Sequence, residues 1–233
     1  MIQGNLLLRY LEEQSFVDMF MDGHIRLNSL NFFWGEHDEP TKIGQIDTME
    51  GMVCPIDARS ADDCSRADGY KYCNLLCCNC LNYIQEGNTV GWYINWEMSQ
   101  FGDFVVIIKN PDEFQRRLVA AASEQGYSCL CDRVDYSDNY DASRDVFNKA
   151  ADFAYQNEWR AALYRGIEDI QACVLDIGPI DDIAEWCYTK DLDRCVTRIF
   201  YEHDFHDTPI AMHGNVSRPE LAGLFIGDGG NVH

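Results

Sequence analysis

Between Lys149 and the apolar run Ala161-Ala162-Leu163-Tyr164 the chain reads Tyr155-Gln156-Asn157-Glu158-Trp159-Arg160. This places an amide, a carboxylate and a guanidinium at alternate positions of what reads as the start of a strand. Side chains alternate faces along a strand, so Gln156, Glu158 and Arg160 are expected on one side and Tyr155, Asn157 and Trp159 on the other. A glutamate flanked in this way suits one of two roles. It is either a structural ion-pair site or a carboxylate held for chemistry.

The other chemistry-bearing clusters are weaker. Cys77-x-x-Cys80 has metal-ligand spacing within the thiol-rich group Cys73, Cys77, Cys78 and Cys80, and Cys129-x-Cys131 offers a second pair. The segment around the first group is almost continuously apolar and lacks the turn glycines of a zinc knuckle. Its thiols are therefore expected to be buried packing residues without metal. His203, His206 and His213 have no helical spacing to support a shared ion, and they read as part of a solvated tail. The acidic stretch Glu36, Asp38, Glu39, Asp47 and Glu50 lacks the alternating ligands and central glycine of a calcium loop. No metal site is expected. Glycine-rich phosphate loops, G-x-S-x-G elbows and H-E-x-x-H helices are all missing from the sequence.

Composition narrows the partners. The 233 residues are 46% hydrophobic, an ordinary globular value. Acidic residues number 39 against 18 basic ones, for a net charge of −21 without any Lys/Arg-rich segment. Such a surface repels nucleic acid and anionic lipid, so direct binding to either is disfavoured. The charge fits simple solubility, or an acidic surface that occupies a partner protein's basic cleft. No run approaches the roughly 18 apolar residues of a membrane span, and no secretory signal is read at the start of the sequence. A cytoplasmic protein is expected. Eleven cysteines in that compartment are read as thiols rather than a disulfide framework.

The elements that must position the Gln-Asn-Glu-Trp-Arg block follow from periodicity. Strands are expected over 6–10, 24–28, 52–55, 72–84, 91–94, 103–109, 128–134, 159–165, 172–177 and 195–201. A helix is expected over 14–21, stopped by Gly23, with an aromatic turn or helix over 30–34. The best helix begins at Asn110, with Pro111 at its first position, Glu113 closing a capping box, Phe114, Leu118 and Ala122 on one face, and Gly126 as the stop. A further helix is expected over 181–188. The whole reads as a single α+β domain over 1–202, with mixed and antiparallel central sheets and flanking helices, then an irregular tail over 203–233.

Several blocks in order resemble a family of uncharacterised bacterial and phage proteins over roughly residues 6 to 186: Leu8-Arg9-Tyr10; Gly23 to Leu30; Phe101-Gly102-Asp103 to Ile107; Phe114 with Arg116-Arg117; Phe153 to Arg160; and Leu175-Asp176-Ile177-Gly178 with Asp181-Asp182-Ile183. The most specific block is Gln156-Asn157-Glu158-Trp159-Arg160. More distantly, the pattern is similar to ADP-ribosyltransferase-like folds, which carry an NAD-contacting Arg or His on the first core strand and a Gln or Glu two residues before a catalytic Glu. Arg9, Gln156 and Glu158 match in order. The usual Ser-Thr-Ser motif is missing, and Ser29 after a strand stands in its place.

The likeness implies an NAD-consuming enzyme that transfers ADP-ribose to a macromolecular acceptor in a toxin, anti-defence or phage–host setting. Glu158 would stabilise the oxocarbenium-like transition state. Gln156 would orient the acceptor, and Arg9 would hold the diphosphate. Tyr10 or Phe32 would stack on a ring of the cofactor, with Ser29 also lining its site. The alternative from charge alone is a non-catalytic acidic inhibitor, encoded by a phage or mobile element, that binds a partner's basic nucleic-acid cleft in the host cytoplasm.

Overall fold

Cys73–Glu86 contains no proline or glycine and forms the longest strand, around which the sheet is built. The computed structural model describes residues 2–35, 46, 52–53, 65–66, 73–86, 89–137, 146–167, 171–203 and 211–213. In chain order the strands are β1 (Ile2–Leu11), β2 (His24–Ser29), β3 (Met52–Val53), β4 (Ser65–Arg66), β5 (Cys73–Glu86), β6 (Thr89–Trp92) and β7 (Phe104–Ile108). They continue as β8 (Ser128–Arg133), β9 (Asp135–Tyr136), β10 (Asn148–Lys149), β11 (Glu158–Tyr164), β12 (Cys173–Asp176), β13 (Ala184–Tyr188) and β14 (Ala211–His213). The helices are α1 (Gln14–Met21), α2 (Leu30–Phe33), α3 (Pro111–Glu124) and α4 (Leu192–His203).

The main sheet is open and mostly antiparallel, with the path β12-β2-β5-β1-β7-β13. β11 and β6 lie along the other edge of β5, and β8 pairs with β11. α1 and α3 cover one face, where Val17, Phe20, Phe114 and Leu118 pack with Leu7, Val106 and Trp159. α4 covers the opposite face with Leu192, Val196, Ile199 and Phe200 against Leu6, Leu8, Tyr10 and Ile107. A smaller cluster joins Leu30 and Trp34 to Leu75, Val146 and Ala162. The result is one mixed α/β domain with a sheet between helices.

β5 is not continuously flanked. β1 pairs with it as far as Leu8↔Asn79, and β2 pairs with it only at Asn28↔Leu75 and Ser29↔Asn74. Leu76, Cys77 and Cys78 therefore lack a strand neighbour on that edge among the described residues. The sheet splits there.

Most expected elements are present, but several differ. Residues 181–188 form a turn followed by β13, not a helix, and 195–201 lie inside α4, not a strand. Ala211–His213 forms β14, parallel to β6, within the stretch expected to be irregular. At α3, Asn110 Oδ1 accepts from Glu113 N at 3.1 Å as expected. The Glu113 carboxylate, however, turns to Arg116 Nε (2.6 Å) and Arg117 Nε (2.8 Å) instead of closing the box. The acidic stretch (save Ile46), His206, Cys54 and Cys64 lie outside the described residues.

Candidate functional site

The approach to β11 is not a simple strand. Ala151–Gln156 forms a 3-10 helix, and Asn157 follows it with φ +41°. Asparagine tolerates this left-handed backbone better than most side chains. Asn157 is also tied down, because its Nδ2 donates to Cys80 O (2.6 Å) and its carbonyl accepts from Cys80 N (2.7 Å). Two more asparagines satisfy the carbonyls that end the helix: Asn79 Nδ2 to Gln156 O (2.6 Å) and Asn95 Nδ2 to Tyr155 O (3.0 Å). Gln156 and Glu158 are thus aimed by a pinned turn rather than by strand alternation.

Beyond the turn lies a buried charge centre. Lys149 Nζ bridges Gln156 Oε1 (2.7 Å) and Glu158 Oε1 (3.0 Å). Arg160 Nε donates to Glu158 Oε2 at 2.7 Å, and Arg160 Nη1 donates to Val146 O at 2.5 Å. Glu158 is 7% exposed, Lys149 2% and Arg160 0%. Lys149 also sits 4.6 Å from the centre of the Phe153 ring. Tyr136 Oη accepts from Glu158 N at 2.8 Å.

Burial by itself would push the Glu158 carboxyl upward. Arg160 and then Lys149 outweigh it through charge and hydrogen bonds, and hold the group down at about 2. Glu158 is therefore an ionised, acceptor-only group at neutral pH. Burial, and then the Glu158 charge, push the Tyr136 hydroxyl above its ordinary value.

Arg9 comes from the split in the sheet. Leu8 and Tyr10 belong to the core under α4, so strand alternation starts Arg9 toward the face of α1 and α3. Trp159 packs on that same face, so Glu158 starts toward the opposite one. The missing strand neighbour lets the Arg9 guanidinium enter the gap, where Nη1 donates to Cys77 O at 2.7 Å. Its Nε is buried without a partner among the described residues, and no described carboxylate pairs with it.

Arg9, Tyr10, Lys149, Gln156 and Glu158 line one cleft of about 100 Å³, with Phe33, Asn79, Met98 and Phe101 among its other walls. Four of the six residues expected from sequence are therefore brought together. Ser29 and Phe32 are not among the lining residues. Ser29 pairs with Asn74 at the end of β2, and Phe32 packs edge-on against Phe33, which faces the cleft instead. Lys149, Asn79 and Tyr136 were missed by sequence reasoning. Lys149 was legible only as a cation just upstream of the block.

Of the clustered thiols, Cys77 and Cys78 border the same cleft. Cys77 and Cys80 stand three apart on a strand and so face opposite sides of the sheet. Burial raises the Cys78 thiol to about 12 and the Cys80 thiol to about 11. Among the described residues, no group of three or more His, Cys, Asp or Glu side chains is placed to hold a metal ion. No described helix is long and apolar enough to cross a membrane. Compared with known proteins, the chain matches no family model, no curated protein and no solved structure.

Proposed function

We propose that this chain is an ADP-ribosyltransferase-like protein that takes NAD into the cleft between the sheet split and the start of β11. One observation supports the reading above the rest. Arg9, Tyr10, Gln156 and Glu158, distant in sequence, line the same cleft. Its described charges are two cations, Arg9 and Lys149, against one carboxylate, in a chain of net charge −21. A local excess of positive charge in an acidic protein suits an anionic ligand such as a diphosphate. About 100 Å³ holds one part of a dinucleotide, with the remainder lying outside the cleft.

In this reading the bond between nicotinamide nitrogen and ribose C1′ breaks, and its electron pair leaves with nicotinamide. The positive charge that develops on the ribose is answered by ionised Glu158. A carboxylate offers about four lone-pair positions, so beyond those used by Lys149 and Arg160 it accepts a ribose hydroxyl. The acceptor nucleophile then bonds to C1′ and loses its proton. Arg9 clamps the diphosphate, and Gln156, held by Lys149, keeps the acceptor side ordered.

A second reading draws on the same centre. Both Glu158 oxygens already accept from buried cations, at 3.0 and 2.7 Å, as in a purely architectural ion-pair cluster. The protein would then be a non-catalytic acidic binder of a basic partner. The discriminating experiment combines calorimetric titration with NAD, chromatographic detection of released nicotinamide, and thermal melts. The enzymatic reading expects NAD binding weakened in Arg9→Ala and turnover lost in Glu158→Gln. A wild-type chain that neither binds nor cleaves NAD, with a destabilised Glu158→Gln, sinks it and leaves the cluster as architecture.

A further inference from the structure

β13 ends the path of the sheet, so its outer edge has no strand beside it among the described residues. Lys109 N donates to Ile183 O at 2.8 Å, and Thr189 N donates to Asp103 O at 2.8 Å. With Ala184↔Ile108 and Tyr188↔Phe104 opposed, the odd-numbered residues turn their backbone groups toward β7. The N–H and C=O of Trp186 and the N–H of Tyr188 therefore point outward. The same two residues are 39% and 47% exposed. They cluster with Phe104, with centroids 6.0 Å from Trp186 to Phe104, 5.3 Å from Tyr188 to Phe104 and 5.9 Å between Trp186 and Tyr188. Ala184-Glu185-Trp186-Cys187-Tyr188 contains no proline or lysine, the residues that commonly blunt a sheet edge.

We propose that this edge is a docking site for an extended, lysine- or arginine-bearing segment of a partner protein, added as a strand beside β13. Charge selects that occupant. A second copy of the chain brings another −21 and is repelled, whereas a basic segment is attracted. Exposed Asp103 and Asp181 stand at the two ends of the β7–β13 pair, and half-buried Asp191 follows β13. Cationic side chains also stack favourably on aromatic rings, as Lys190 already does over Tyr188 at 5.2 Å. An incoming strand places alternate side chains over Trp186 and Tyr188, where its own cation takes the position of Lys190. The surface is separate from the cleft, because β7 intervenes between β13 and β1, the nearest strand that lines the cleft.

The test titrates the full chain with a short synthetic peptide alternating lysine and threonine. A glutamate–threonine peptide serves as control, and sedimentation reports self-association. The lysine peptide is expected to bind and to slow hydrogen exchange at the Trp186 and Tyr188 amides. Trp186→Pro removes the outward N–H and the ring but no ladder bond to β7, a position where an edge strand accepts proline. Loss of an aromatic anchor and a strand bond weakens binding by roughly tenfold or more. Lys190→Glu, an exposed change, strengthens it. Equal binding of the glutamate peptide overturns the proposal. So does unchanged affinity in both variants, or dimerisation of the wild type that Trp186→Pro abolishes.

Discussion

Glu158 and Glu113 are each held by two basic side chains, and each carboxyl is brought down to about 2. Their surroundings differ. Around Glu113 the hydrogen bonds of Arg116 and Arg117 lower the group, and the Arg116 and Glu113 side chains remain 67% and 26% exposed. Around Glu158 burial opposes the charge, and the attraction of Arg160 and Lys149 must overcome it. The side chains there are 9% exposed for Glu158, 2% for Lys149 and 0% for Arg160. The same direction of shift therefore carries different energetic meanings. Water re-solvates a broken surface pair, but nothing re-solvates a cation stranded beneath β11.

The largest expected effect is at Arg160. Arg160→Met leaves Glu158 with Lys149 alone and frees Val146 O from its bond, and removal of one member of a buried pair costs about 3–5 kcal/mol. For a chain of this size that lowers Tm by roughly 6–20 °C in a thermal melt. Glu158→Gln is expected at the lower end, about 3 kcal/mol, because its amide still accepts one bond while two cations lose their counter-charge. In a urea-denaturation cycle, combining it with Arg160→Met costs less than the sum of the two single changes, since the pair is coupled. Additive effects would show that the two side chains do not act as a unit.

Acid sharpens the same contrast. The folded value of Glu158 lies below its ordinary value of 4.5, so its contribution to stability is complete above that pH and is lost as pH falls toward about 2. Glu113 acts in the same direction, but screening in about 1 M salt, where the Debye length is ~3 Å, suppresses exposed pairs first. The acid-induced loss that survives high salt is expected to vanish in Glu158→Gln. If it persists there, another carboxylate carries it.

Asn157→Ala is a smaller change. It removes the 2.6 Å bond to Cys80 O and places a less tolerant residue at φ +41°, for a cost of about 1–2 kcal/mol. If the turn aims the site, ligand affinity falls alongside stability. The smallest expected effect is Arg116→Ala, with no resolvable change in Tm, because its partner Glu113 keeps Arg117 and the Arg116 side chain is 67% exposed. A loss matching that of Arg160→Met would erase the distinction between the two centres.

The local rules were readable where one element decided the outcome. Asn110, Pro111 and Gly126 bracketed α3, and Phe114, Leu118 and Ala122 lie on its buried face as the spacing required. The helix–strand order near the end of the described domain was misread. Leu192, Val196, Ile199 and Phe200 have helical spacing, but Cys195 to Tyr201 reads equally as a short apolar run. β13 exposes Trp186 and Tyr188, so hydrophobic residues face water and the usual in–out contrast of a strand is blurred.

The sequence alone determined the acidic charge, most of the separate helices and strands, and the candidacy of Gln156 and Glu158, because these depend on residue type and on spacing within a few positions. Arg9 and Tyr10 became candidates only through the resemblance to ADP-ribosyltransferase-like folds. The tertiary structure decided that Lys149 completes the Glu158 centre, that Phe33 rather than Phe32 faces the cleft, and that Arg9 reaches it at all. Each of these depends on contacts between segments far apart in the chain. Above all they depend on β1 and β2 leaving a gap beside Cys77, which neither strand's own sequence encodes.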